Sequence, residues 1–484
     1  MNIALHSMLL ALSLGLGCGP KEAPVAAADL RATAPQPLPP RPFQLPEPVE
    51  GTLSNGLRVI VVENHEVPMV HVNVVLRAGA WTDPAGRPGL ASVTLDMMNE
   101  GAGGMTAAEL SLATRKLGAS LGTAAGLDGA VVSVSALRDQ LPHAMPLLAK
   151  VLLEPDFPQA DWELMRKKRL QDLAAARNDP GSMADRTWDA LGHGRRYAGH
   201  LTTEPSYQAL TTAEMKAWHQ AHVAPRHAVV TVGGDTTWAE IQPLLEQHLG
   251  GWTATGQDLP PLPQVDALPT QGPTRIFLVD KPGAAQSVLR VGRFVGGRTE
   301  ADHWPMSLAD MAIGGMFTAR INMNLREDKG WTYGARSWIE DSYLPGRWGV
   351  GANVVTPHTA DAVSEILREL KESRAERPIT QAELDNARGY LLGTWPLRFE
   401  NPGTLMSETV AIWRYGLPAD WLRGTPDAVR AVTVEQAQAA WSTRVDPDHL
   451  DILVVGDAAT VRAPLEALGL PVVDMLPDGL PAGG

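Results

Sequence analysis

The sequence predicts an α+β fold built from two like domains, and three observations predict it. Segments with strand and helix periodicity alternate without the strict strand–helix–strand rhythm of a parallel sheet. The order of those segments recurs in the second half of the chain at a near-constant offset. The composition, 44% hydrophobic and 20% charged over 484 residues, is that of an ordinary globular chain able to bury sizeable cores.

The elements follow in order. Residues 8–17, MLLALSLGLG, form an apolar run too short to span a bilayer, which reads as the h-region of a signal peptide over residues 1–17. Cys18 follows. It is the only cysteine, so no internal disulfide exists. Small Gly17 before Cys18 resembles a bacterial lipoprotein cleavage site, with Cys18 the lipidated first residue. Residues 18–48 are rich in Pro and Ala, including PQPLPPRP, and read as an extended tether.

The first domain is expected over residues 49–250. Asn55-Gly56 is a turn signal ahead of an apolar strand at 58–62, and 70–76 alternates with Val70, Val72, Val74 and Leu76 on one face. Helices are expected at 89–99 and 107–117, a strand at 131–136, and amphipathic helices at 140–153 and 159–177, the latter ended by Asp179-Pro180. A helix at 212–222, a strand at 228–233 running into Asp235, and a helix at 238–249 complete the half. Residues 251–273 contain Pro and Gly and read as a linker.

The second domain, 274–470, repeats this order. Its strands are expected at 275–279, 287–292, 350–355 and 453–456, and its helices at 318–326, 357–373 and 381–395. The offset is 217 residues from Arg58 to Arg275, and 222 both from Asp161 to Glu383 and from Asp235 to Asp457. An offset carried through strands and helices argues for a duplicated domain. Residues 471–484, rich in Pro and Gly, read as a mobile tail.

The net charge of −13 argues against nucleic acid as a partner. There is no P-loop, no G-x-S-x-G elbow and no C-x-x-C. Chemistry concentrates instead in residues 324–337, NLREDKGWTYGARS, where Arg326 and Tyr333 flank a turn at Lys329-Gly330. Arginine offers fixed, charged donors and tyrosine a hydroxyl on a rigid ring, a pair suited to gripping peptide carbonyls.

The phrases LSNGLRVIVVE, GLAS, VTVGGD and VDKPGAAQS, together with LREDKGWTYGARS, resemble the pitrilysin/insulysin family of zinc peptidases. The resemblance covers residues 45–470. It implies a processing-peptidase-like fold and an inverted zinc motif, H-x-x-E-H, on the helix after the second strand. Two His four apart bind zinc from one helical face, the Glu between them is the general base, and a Glu from a later helix is the third ligand. In this sequence Ser92, Leu95 and Asp96 occupy the places of first His, catalytic Glu and second His. Asp172, 76 residues after Asp96, occupies the third ligand's place, and Met165 that of a further Glu. Both His and the base are therefore missing, and the resemblance implies no metal in this chain. Asp96 and Asp172 suit a hard cation better than zinc and read as a solvated or hydrogen-bonded acidic pair. His219 and His222 lie at i, i+3 but read as packing residues.

The second-half motif is intact. By resemblance, Arg326 and Tyr333 would reach a peptide at a zinc centre and donate to its carbonyls. Gly314 and Gly315 either let substrate approach the backbone or simply form the loop before a helix. The resemblance implies a non-catalytic subunit of a heterodimeric metalloendopeptidase. It would lend Arg326 and Tyr333 to the zinc site of a partner chain bearing H-x-x-E-H, on the periplasmic side of a bacterial envelope. Two alternatives stay open: a metal-free peptide-binding or scaffolding homodimer, and a self-sufficient hydrolase using Asp96 and Asp172.

Overall fold

The computed structural model describes residues 43–193, 201–260, 272–340, 346–480 and 482. The expected signal peptide, Cys18, most of the tether and the centre of the linker lie outside the described residues.

The first half contributes strands β1 (Val49–Thr52), β2 (Arg58–Glu63), β3 (Met69–Leu76), a two-residue hairpin β4 (Gly101–Ala102) and β5 (Met105–Thr106), then β6 (Ser120–Ala125), β7 (Ala130–Leu137) and β8 (Ala228–Gly234). Six of them form one sheet in the order β1-β2-β8-β3-β7-β6, antiparallel except for the β2–β8 pair. The second half contributes β9 (Arg275–Asp280), β10 (Gln286–Phe294), β11 (Thr332–Ile339), β12 (Arg347–Val355), β13 (Asp451–Gly456) and β14 (Val472–Met475). They form a second sheet in the order β11-β12-β10-β13-β9-β14, with β9 parallel to both its neighbours. The fold is thus α+β with two like sheets. β14 lies in the stretch expected to be a mobile tail. Alternate Val and Met side chains let it close the sheet edge instead, parallel to β9.

The central strands are apolar at consecutive positions, and the pleat sends successive side chains to opposite faces. Val59 and Val61 of β2, with Val230 and Val232 of β8, face a core made with the half's own helices, among them Leu90–Met98 and Leu141–Leu153. Ile60, Val62 and Val229 face the other way, onto Leu405, Met406, Val410 and Trp413 of the Pro402–Tyr415 helix, which belongs to the second half. The second sheet mirrors this. Ile276, Leu278, Ile452 and Val454 meet their own helices, while Phe277, Val279, Leu453 and Val455 meet Met183, Ala184 and Trp188 of the first half's Pro180–His193 helix. Each half therefore roofs the other's sheet with one helix.

The two roofing helices start 222 residues apart, the offset of the repeat. Each begins with Pro-Gly at its N-terminus, where proline's missing N–H costs nothing. Each carries a tryptophan under an arginine of the opposite half. The Arg77 guanidinium lies 4.5 Å from the Trp413 ring and donates to its carbonyl at 3.2 Å. The Arg347 guanidinium lies 4.3 Å from the Trp188 ring and donates to the Trp188 carbonyl. The chain from Gln44 onward forms one compact unit. The end of the expected tether joins it: Leu45 packs beside Trp421, and Glu47 pairs with Arg423 at 2.6 Å.

The expected helix at 318–326 differs in kind. After a short turn, Arg320–Asn322, the backbone widens into a π-helical segment, Met323–Asp328, and a second such segment spans Met311–Gly315. Among the described residues no helix is long and apolar enough to cross a membrane.

Candidate functional site

The Leu90–Met98 helix presents the degenerate metal positions. It is held at its start by Asp83, whose carboxylate accepts from the backbone N–H groups of Gly89 and Ala91 at 2.7 and 2.8 Å. Leu95, in the place of the general base, is fully buried in the first core. Asp96 points the other way, into a cleft of about 580 Å³ that it shares with Met165 and Asp172 of the Gln159–Ala176 helix. Ser92 does not line this cleft. The structure thus brings together three of the five predicted positions.

The partner of Asp96 is not Asp172 but Arg169, whose guanidinium makes a short ion pair with its carboxylate. This corrects the hydrogen-bonded form of the expected acidic pair. Arg169 lies one turn before Asp172 on the same helix, and Asp172 is left exposed to solvent. A guanidinium now supplies the positive charge that a bound metal supplies in a zinc site. The donor set does not fit zinc. Asp96 is already occupied by a cation, Leu95 has no donor atom, and no imidazole is among the described residues lining the cleft. Among the described residues no group of three His, Cys, Asp or Glu could hold a metal ion. Deeper in the cleft, burial and then the neighbouring Asp161 raise the Glu100 carboxyl above its usual range, while Lys168 opposes them.

The candidate Arg326–Tyr333 element is anchored on all sides. Arg320 grips Glu383 of the Gln381–Arg398 helix with two bonds of 2.6 and 2.7 Å. Buried Asn324 donates to Glu365 and Glu369 at 2.6 and 2.9 Å. The Asn322 side-chain amide oxygen accepts from the Ala335 N–H at 3.0 Å, tying the segment to β11. On this platform Arg326 lies 4.6 Å from the Phe317 ring and 3.4 Å from the Glu327 carboxylate. Tyr333 is 91% exposed and makes no hydrogen bond within the described residues.

Tyr333 owes its direction to a bulge. β11 pairs Thr332 with Val354 and Ala335 with Ala352, three residues against two. Strict alternation would put Tyr333 on the core side with Ala335 and Ser337. The extra residue turns it outward, onto the face of Arg336 and Trp338. There it borders a cleft of about 650 Å³ between β10, β11, β12 and the Pro180–His193 helix. Arg326 is not among the residues lining that cleft.

Gly314 is buried, and the close approach it permits is to this chain's own strand. A β-carbon there would lie 2.5 Å from the Ser337 hydroxyl, and one on Gly315 would lie 2.9 Å from the Asp310 carboxylate. Beneath them, fully buried Asp310 accepts from Ser337 and, at 2.6 Å, from the Trp348 indole, and burial pushes its carboxyl up to about 6.

The histidine pair at i, i+3 splits. His219 bonds the Leu152 carbonyl at 2.8 Å, and His222 packs on Trp218 with ring centroids 4.9 Å apart. Burial, and then His227, lower His222 to about 4, so both act as neutral packing groups. Sequence reasoning missed Arg169, Phe317 and the bulge. The run Arg166-Lys167-Lys168-Arg169, on the helix that should carry a third ligand, was the available signal for the first.

Comparison with known proteins agrees with the two-domain α+β fold. A family model described as insulinase, peptidase family M16, matches residues 58–191, and one described as the peptidase M16 inactive domain matches residues 209–391. An uncharacterized zinc protease of Mycobacterium leprae is 26% identical over 393 residues, 80% of this chain and 87% of the relative. The crystal structure of a peptidase M16 inactive domain from Pseudomonas fluorescens matches with a TM-score of 0.76 and 24% identity, covering 85% of this chain and 98% of that one. The periplasmic protease PqqL from Escherichia coli matches with a TM-score of 0.69 and 15% identity, covering 88% of this chain and 50% of that one.

Proposed function

The chain belongs to the insulinase family of peptidases, and from that premise we propose that it is the non-catalytic subunit of a heterodimeric metalloendopeptidase. Zinc and general base would come from an H-x-x-E-H partner, and Arg326 and Tyr333 of this chain would complete the partner's site. The observation that carries the reading is Tyr333. A tyrosine turned out of its own sheet by a bulge, 91% exposed and unbonded, is poised for a group outside this chain. The ion pair at Asp96 supports the other half of the reading, because it replaces metal chemistry with a fixed charge.

In this arrangement Tyr333 donates its hydroxyl to the carbonyl of a bound peptide. Arg326 swings off Phe317 to place a charged donor beside developing negative charge. The chain would sit on the periplasmic side of a bacterial envelope, held by lipid on Cys18. Release from the membrane fraction on Cys18→Ser tests the anchor.

The test of the subunit role is reconstitution. The purified chain alone should carry no zinc and cleave no peptide, and adding a homologous chain that retains H-x-x-E-H should give cleavage. Arg326→Ala or Tyr333→Phe should then lower turnover by ~10²–10³. Undiminished turnover with both residues replaced would refute the reading.

A further inference from the structure

The cleft beside Tyr333 carries more polar chemistry than the Arg–Tyr pair accounts for. Its three acids share two guanidiniums. Asp185 lies 3.4 Å from Arg290, and Glu340 and Asp189 lie 3.2 and 3.7 Å from Arg347. Arg290 also lies 5.8 Å from the Trp338 ring. The cation whose side chain pairs with none of these acids is Arg336. It is exposed, lines the cleft, and makes no ion pair or hydrogen bond within the described residues. The bulge that turns Tyr333 outward puts it on the same face as Arg336, three positions further along β11. Because the bulge sets three residues of β11 against two of β12, the separation is about two strand rises, about 7 Å, the span of about two residues of an extended peptide.

A free guanidinium presents a planar fork of donors that fits a carboxylate with two parallel bonds. We propose that Arg336 forms a carboxylate-reading subsite, so that the cleft takes peptides bearing an acidic side chain or a terminal carboxylate about two residues from the group Tyr333 contacts. The proposal rests on Tyr333 being a peptide contact. It requires no partner chain, since every group it uses lies in this one.

The test is direct binding to the full chain without any partner, read by fluorescence anisotropy. One pair of labelled unstructured peptides differs only by Glu or Gln, and a second pair only by a free or amidated C-terminus. One acidic form should bind on the order of tenfold more tightly than its neutral counterpart, with the margin shrinking as salt is raised. The pair that shows the margin identifies the carboxylate's source. Arg336→Gln should erase the preference, and Arg336→Glu should turn it toward a Lys-bearing peptide, a reversal that loss of folding cannot mimic. No binding of any peptide, equal affinities within both pairs, or a preference that survives Arg336→Gln would overturn the proposal. Loss of turnover control by Arg326 and Tyr333 in the reconstituted complex would refute the subunit role and leave this preference standing.

Discussion

Replacing Arg169 by methionine keeps an unbranched apolar stem and removes the cation beside Asp96. The two side chains are 31% and 29% exposed, so the pair lies between a solvated ion pair and a buried one. Solvated pairs contribute ~0–1 kcal/mol, and breaking a buried pair costs ~3–5 kcal/mol. An intermediate coupling of about 1–2 kcal/mol follows for this pair. It should be read from a double-mutant cycle of Arg169→Met, Asp96→Asn and the double variant, using urea unfolding followed by circular dichroism. Arg169→Met should cost more than Asp96→Asn, because it strands a carboxylate beside acidic Glu100 and Asp161. The double variant should recover most of the loss. A coupling below ~0.3 kcal/mol, the ordinary error of additivity, would refute the idea that Arg169 stands in for a metal's charge.

Trp188→Ala empties the anchor of the first half's roofing helix, a residue only 4% exposed, and should cost about 3–5 kcal/mol. Limited proteolysis should then cut first within residues 180–193, and uniform resistance there would contradict the packing described. Asp310→Asn addresses pH. The folded-state pKa of Asp310, about 6, lies above the ordinary 3.8, so the folded chain keeps a proton that the unfolded chain has released. Its effect on stability is neutral below the ordinary value, grows unfavourable as pH rises from about 4 to about 6, and levels off at roughly 3 kcal/mol. The stability of Asp310→Asn relative to the parent should therefore rise across that window in urea titrations at several pH values. A difference independent of pH would refute the assignment.

The central strands and the long helices of each half were legible because the pleat and the helical repeat leave their periods in the sequence, and because the duplication states each period twice; β1, β6 and β11 were not. The roofing helices were not. Asp179-Pro180 reads as a stop after the Gln159–Ala176 helix, whereas the proline there starts the next helix at a position with no N–H to lose. Their signal lay in the strands. Apolar residues at consecutive positions in RVIVVE, RIFLVD and DILVVG mean burial on both faces, which requires a second cover. The loss of the H-x-x-E-H motif was legible from Ser92, Leu95 and Asp96. What replaced it was not, because Arg169 meets Asp96 across 73 residues of chain and only the packing of two helices reveals it. The direction of Tyr333 was equally hidden. A bulge is a mismatch between two strands, and neither strand's sequence contains it alone.

The exchange of roofing helices also sets a clock on biosynthesis. Trp413 lies 336 residues after Arg77, the residue it stacks under. At ordinary rates of translation that separation takes roughly 20–70 s to emerge. Until then Ile60, Val75 and Val229 have no cover, so the first sheet cannot finish however early its own strands pair. The nascent chain stays short of its native state almost to the end of synthesis, and the window for threading it through a narrow channel, or for capture by a chaperone, stays open for as long.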